Sequence, residues 1–227
     1  MSRRIEDLIP PMEIAYSYFK KQMEEVGLLF IVTRTLSSLA EQTALYAQGR
    51  ESLENVNALR NKAGLGKISA PENKIVTWTM NSKHLGLKKT DALAIKNPNW
   101  VGKALAFDIA LLKIDGKTPH WNIKENINEN DYPDYYEASL IGHSIGLDAG
   151  GLWKNKQDFP HYQYDPNRVI FMPEKIDVEE ELYTKQPNET EDFIEEGELH
   201  GLSYEAKTFL MKVDKIRKGL RKPEEEK

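Results

Sequence analysis

The chain has 227 residues, no cysteine and a net charge of −5. Its length is enough for one sizeable domain with an appendage. The missing cysteines exclude disulfides, thiolate metal sites and a thiol nucleophile. The negative balance excludes a global basic field for nucleic acid or an anionic membrane.

The first fourteen residues, MSRRIEDLIPPMEI, follow two arginines with acids and prolines, so no apolar core of a secretory signal is visible. Residues 12–26 carry apolar side chains at helical spacing after Pro10 and Pro11, and Gly27 closes that segment. The run LLFIVTRT, 28–35, predicts a buried strand. The longest apolar run, GLLFIV at 27–32, is far too short to cross a bilayer. Residues 37–50 open on serines, keep helical spacing through Leu39, Ala44, Leu45 and Ala47, and end at Gly49.

Residues 51–74 are polar and marked by glycine and proline, which predicts loop with some helix. The stretch 103–117 predicts a strand running into a turn at Asp115-Gly116. A helix is expected over 133–147 and a short strand over 160–164. Beyond a boundary near 166–173 the composition changes. Residues 174–198 hold eleven acids against two lysines, and 203–222 form an amphipathic pattern that turns basic. The division expected is 1–168 as one domain and 169–227 as a charged, helical extension of unassigned role.

The five histidines limit any metal chemistry. A catalytic zinc site takes about three protein ligands and leaves one position open. His84, in NSKHLG, and His161, in DFPHYQY, sit between turn residues at element ends, where active sites collect. His143 lies mid-helix and is expected to pack there. His120 follows a proline at a strand or loop end, and His200 belongs to the acidic tail.

Two carboxylates compete as a third ligand. Asp108 interrupts the apolar strand ALAFDIALL, where burial without a partner costs several kcal/mol; alternatively it faces solvent on an alternating strand. Asp91 follows two lysines, as in a solvated loop. Asp158 stands three residues before His161. If His161 binds zinc, Asp158 is near enough to take a proton from water activated by the metal. Without a metal it is an aspartate in a turn before a strand.

Four blocks, read in order over residues 5–165, carry a resemblance. They are IVTRTLSSLAEQTALYAQGR, SKHLG, ALAFDIALLKIDGKTPHW and GLDAGGLWKNKQDFPHYQY. Together they resemble the zinc D-Ala-D-Ala carboxypeptidase and L-Ala-D-Glu endopeptidase family, especially its phage endolysin members. The resemblance implies an α+β fold with helices packed on a small, mainly antiparallel sheet, a DD-peptidase/hedgehog-like zinc peptidase fold. It implies Zn2+ held by His84, Asp108 and His161, with Asp158 as general base. Arg34 matches an arginine placed near the scissile carbonyl. Ser82 and Gln42 match positions assigned to substrate binding, Gln42 supporting the site from its helix.

The chain departs from the family pattern in two places. The usual aspartate stands seven residues after the first histidine, a spacing held by Asp91, but Leu87 and Lys89 replace the Gly and Ala expected between. Asp108 has the right surroundings, so 85–103 is read as an insertion forming a loop over the cleft. Asp148-Ala149 stands where a tryptophan is common, and Leu152 replaces a polar position; neither is expected to touch the ligands.

The activity implied is endolysin cleavage of peptidoglycan stem peptides between L-Ala and D-Glu. D-Ala-D-Ala carboxypeptidase action and a non-catalytic wall-binding relative are the alternatives. The partner implied is the stem peptide, with no nucleic acid and no membrane insertion. The protein is expected to be a monomer made in the cytoplasm without a signal peptide, acting on the bacterial wall after release.

Overall fold

A computed structural model describes residues 1–170, which fall in one compact unit spanning Met1–Phe171. His200 and the expected extension from residue 171 onward lie outside the described residues. Helix α1, Pro10–Glu25, begins with two prolines in its first turn, where an N–H has no helical partner to lose. It buries Met12, Ala15, Phe19 and Met23, one stripe at helical spacing. Gly27, at φ 79°, lets the chain reverse, and the Leu28 N–H reaches back to the Met23 carbonyl.

Strand β1, Phe30–Arg34, follows directly. Helix α2, Leu39–Ala47, is capped by Ser38, whose hydroxyl accepts from the Glu41 N–H while Glu41 accepts from the Ser38 N–H. Helix α3, Leu53–Lys62, gives the polar segment 51–74 its helical part. Helix α4 is a single turn, Ala92–Lys96. The central strand β2, Ala106–Leu112, precedes the two-residue β3, Pro119–His120. Helix α5, Asp134–Ser144, then β4, Asp148–Ala149, and β5, His161–Gln163, complete the unit.

These elements form an α+β unit. The sheet runs β1-β2-β5-β4, with β3 also paired to β2, and every pair is antiparallel. Alternation along β2 sends Phe107, Ile109 and Leu111 into the main core. There Phe107 stacks on Tyr162 of β5 at 5.4 Å, and Phe19 of α1 meets Tyr162 at 4.7 Å. Helix α5 closes against this pair through Gly142. A Cβ there would lie 2.6 Å from the Tyr162 ring, so only glycine allows the approach.

The opposite face of β2 carries Ala106, Asp108 and Ala110. The two alanines have no exposed surface, so this face is covered, and the solvated alternation considered for Asp108 does not describe it. Register aligns the polar residues. Arg34 pairs with Asp108 across β1 and β2, and Asp108 pairs with His161 across β2 and β5. Directly opposed residues share a face, so Arg34, Asp108 and His161 form one row across three strands.

The segment 85–103 differs from the loop expected over the cleft. Leu87, Ala94 and Trp100 belong to the buried core, and Trp100 meets the Tyr164 ring edge-on at 6.1 Å. Burial of these three side chains docks the insertion on the core.

His143, in the last turn of α5, packs as expected of a mid-helix histidine. Its Nδ1 accepts from the Arg168 guanidinium at 2.6 Å. Burial, and then the Arg168 charge, push its pKa down to about 4 from 6.5, against a smaller opposing pull from Asp148. Between those values the unfolded chain binds a proton that the folded chain refuses. Stability is therefore complete above about pH 6.5 and falls as pH drops toward 4. Discounted for partial exposure, the loss is on the order of 2 kcal/mol. Urea unfolding at pH 7 and pH 4.5 should show that loss in the wild type and a smaller one in His143→Gln, which keeps an acceptor for Arg168. Equal losses in both proteins would refute the assignment.

Candidate metal centre

His84, Asp108 and His161 come from three separate parts of the chain and converge. His84 Nε2 lies 3.0 Å from Asp108 Oδ1, His161 Nδ1 lies 2.8 Å from the same oxygen, and the two nitrogens are 3.3 Å apart. The His84 side chain is 2% exposed and that of Asp108 20%. Among the described residues this is the one group of three such donors whose ligand atoms all lie within 4.8 Å of one another.

The hydrogen bonds around this group decide where the imidazole protons sit. His84 Nδ1 faces the Thr35 carbonyl at 2.7 Å. A carbonyl only accepts, so Nδ1 carries the proton and Nε2 presents a lone pair. For His161 the reasoning passes through three more residues. The Trp153 indole N–H donates to Asp148 Oδ1 at 2.7 Å. Asp148 Oδ2 accepts from the Gln163 amide at 2.6 Å, which orients that amide. Gln163 Oε1 therefore accepts from His161 Nε2 at 3.1 Å, and the Nδ1 lone pair faces inward.

In their neutral forms, the two histidines and the carboxylate point three electron pairs at one another. Such an arrangement is repulsive until a cation enters it, as a proton or a metal ion. The donor set, two imidazoles and a carboxylate, suits Zn2+. The same frustration appears in the ionisation of the group. Burial would raise the Asp108 pKa, but the two imidazoles overcome it and hold Asp108 far below the usual carboxylate range. Burial likewise opposes charge on His161, and the bond to Asp108 outweighs it, raising the His161 pKa.

Asp91 is outside this group. Its carboxylate accepts the Lys88 N–H at 2.7 Å, ahead of α4. Its spacing from His84 matched the expected aspartate, but its side chain closes a local turn.

Asp158 and Arg34 flank the three donors. Partial withdrawal from water raises the Asp158 pKa first, and Asp108 adds to the rise. His161, His84 and Arg34 pull the other way, which sets all four charges around Asp158. The backbone of Asp158 is fixed by a bond from its N–H to the Gly150 carbonyl at 3.0 Å. A Cβ on Gly150 would collide with the Asp158 carbonyl, so this glycine sets how closely the Asp158 backbone approaches. The Asp158 carbonyl in turn accepts the His161 N–H at 3.0 Å, tying the two residues into one turn around Pro160.

Arg34 donates from Nε to Ser37 at 2.8 Å and from a terminal nitrogen to Gln42 at 2.5 Å. Burial lowers its pKa, while Asp108 and Asp158 support its charge. Gln42 is fully buried and bonds onward to the Thr79 carbonyl at 2.6 Å, so it positions Arg34. Ser82 accepts the His84 N–H at 3.2 Å and shapes the turn that presents that histidine. Asp148 does not touch the three donors, as expected, but acts on His161 through Gln163.

No family model matches the chain. It is similar to the peptidoglycan L-alanyl-D-glutamate endopeptidase CwlK of Bacillus subtilis (strain 168). The two are 26% identical over 161 residues, covering 71% of this chain and 75% of that protein.

The protein should bind a single zinc ion per chain, measurable by elemental analysis and competition with a chelating dye. His84→Ala and Asp108→Ala should lose it, and Asp91→Ala should keep it. Gln163→Leu frees the His161 ring and should weaken zinc binding by about 10–100-fold without unfolding the chain. Wild-type affinity in Gln163→Leu would refute the role given to the outer hydrogen bonds.

Proposed function

We propose that the protein is a zinc-dependent peptidase of peptidoglycan that cuts the stem peptide between L-Ala and D-Glu. The observation that carries this reading is the convergence of His84 Nε2, Asp108 Oδ1 and His161 Nδ1 beside Asp158 and Arg34. The similarity to CwlK supports peptidoglycan as substrate. The order of the four endolysin-like blocks supports a lytic role at the bacterial wall.

Bound by the three donors, zinc supplies Lewis acidity toward a carbonyl and toward water. The remaining work belongs to side chains already in place. Asp158 accepts the proton of the attacking water and returns it to the leaving amine. Its place in the lining of an open cleft beside the three donors suits it to both transfers. Arg34 presents a fixed positive charge on the β1 side of Asp108, where it faces negative charge developing on the carbonyl oxygen. Gln42 and Ser37 hold that guanidinium so that it does not collapse onto the carboxylates. Ser82 keeps His84 in its turn.

Among the described residues no helix is long and apolar enough to cross a membrane. A wall-binding relative without activity has no use for Asp158, a carboxylate outside the group of three donors whose backbone is pinned to Gly150 three residues before His161.

Asp158→Asn should lower hydrolysis of purified peptidoglycan by at least about 100-fold while zinc stays bound, because only the proton acceptor is removed. Mass spectrometry of the wild-type digest should show new N-terminal D-Glu residues. Release of terminal D-Ala instead would assign the other bond, and no cleavage by the zinc-loaded protein would overturn the peptidase reading.

A further inference from the structure

A cleft of about 360 Å³ opens beside the candidate centre, at the lower end of the size of small-ligand sites. Its position follows from the sheet. Strand β1 pairs with both Leu111 and Asp108 of β2; β3 also pairs with Leu111, and β5 with Asp108. A strand has two edges, so β3 and β5 share the edge opposite β1. Trp121 follows the end of β3, and Phe159 and Pro160 precede β5, so the cleft lies where these two strand ends face each other.

One wall is apolar and open, with Trp121 59% and Ile123 47% exposed. The other carries Gln157 and Asp158. Among the described residues no lysine or arginine lines it. Arg34 is across β2, bonded to Ser37 and Gln42. Lys156, two residues from Asp158, lies over the Trp78 ring, 4.9 Å from its centroid.

We propose that this cleft binds the part of the stem peptide that leaves as the amine, and that it selects a neutral group next to the cut bond: the α-amide of D-isoglutamine over the free α-carboxylate of D-Glu. The proposal rests on the peptidase reading above. Asp158 returns its proton to the leaving amine, so the residue bearing that amine lies within its reach, in this cleft. In a stem peptide D-Glu continues through its side-chain carboxyl, and its α-carboxyl sits on the carbon that carries the leaving nitrogen. As a carboxylate it meets the charge of Asp158 with no cation in the lining. As an amide it is neutral and meets polar groups on Gln157 and Asp158. The side-chain methylenes then lie along Trp121 and Ile123.

The test uses two purified muropeptides that differ only in this group, cut by the zinc-loaded full chain. The amide should be cleaved with kcat/KM about tenfold above the acid. Gln157→Arg, which places a cation in the lining, should erase or reverse that ratio. Trp121→Ala should raise KM for both by about tenfold, with kcat and bound zinc nearly unchanged. Equal cleavage of the two by the wild type, a preference for the acid, or the same ratio in Gln157→Arg would overturn the subsite while leaving the peptidase reading intact. Cleavage of neither muropeptide would overturn both.

Discussion

The contact between Asp108 and the two imidazoles is the constraint on which the rest of the site depends. A carboxylate in the middle of the central strand is costly to bury, and two lone-pair nitrogens within 3.0 Å of it make it costlier still unless a cation is shared. The fold maintains this arrangement by register. Asp108 is paired on one edge by Arg34 and on the other by His161, so no side-chain flexibility is needed to bring the row together. His84 alone arrives from a turn, and two backbone–backbone hydrogen bonds and one to a side chain hold that turn. Its N–H is bonded to Ser82, its carbonyl accepts the Ser37 N–H, and the Leu85 N–H returns to the Ser82 carbonyl.

The outer shell does as much as the ligand set. The Thr35 carbonyl fixes one imidazole, and the Trp153–Asp148–Gln163 chain fixes the other. Each link contains a group that can only donate or only accept, so the protons cannot redistribute to relieve the repulsion at the centre. A chain of freely rotating hydroxyls would allow that escape. Fixing the tautomers from outside thus leaves the three inner atoms arranged as donors that could hold a cation, which an ordinary buried hydrogen-bond cluster would not be.

Much of this was legible in the sequence because residue type and local pattern carried it. The strand containing Asp108, the turn-flanked positions of His84 and His161, and the placement of Asp158 three residues before His161 all have local signatures. The role of Gln163 was within reach too: two residues beyond His161 on a strand, it shares that histidine's face. Thr35 was beyond reach, because a backbone carbonyl acts identically in every residue. The insertion at 85–103 misled for a related reason. Its lysines suggest a solvated loop, whereas Leu87, Ala94 and Trp100 are spaced irregularly and find the core only through tertiary contact. Asp91 had the expected spacing, yet spacing along the chain loses meaning across an insertion, and sheet register decides which carboxylate meets the histidines.

The same register divides labour between the two edges of β2. On the β1 edge stand Arg34 and its fixed partners Ser37 and Gln42, a positive charge with little freedom. On the other edge lies the cleft with one apolar wall and, opposite it, Gln157 and Asp158, and no described lysine or arginine lines it. In the proposed reaction a peptide bond between them would see positive charge on one side and a proton acceptor on the other, the polarity that separating a carbonyl carbon from its nitrogen requires. Gly150 sets the width of this arrangement on the acceptor side, because the turn at Gly150–Leu152 lies directly against the backbone of Asp158. The glycines before Trp153 are therefore tied to the chemistry through Asp158, and Trp153 is tied to it through Asp148 and Gln163. Residues 148–153, one short segment, thus govern both the placement of Asp158 and the orientation of His161.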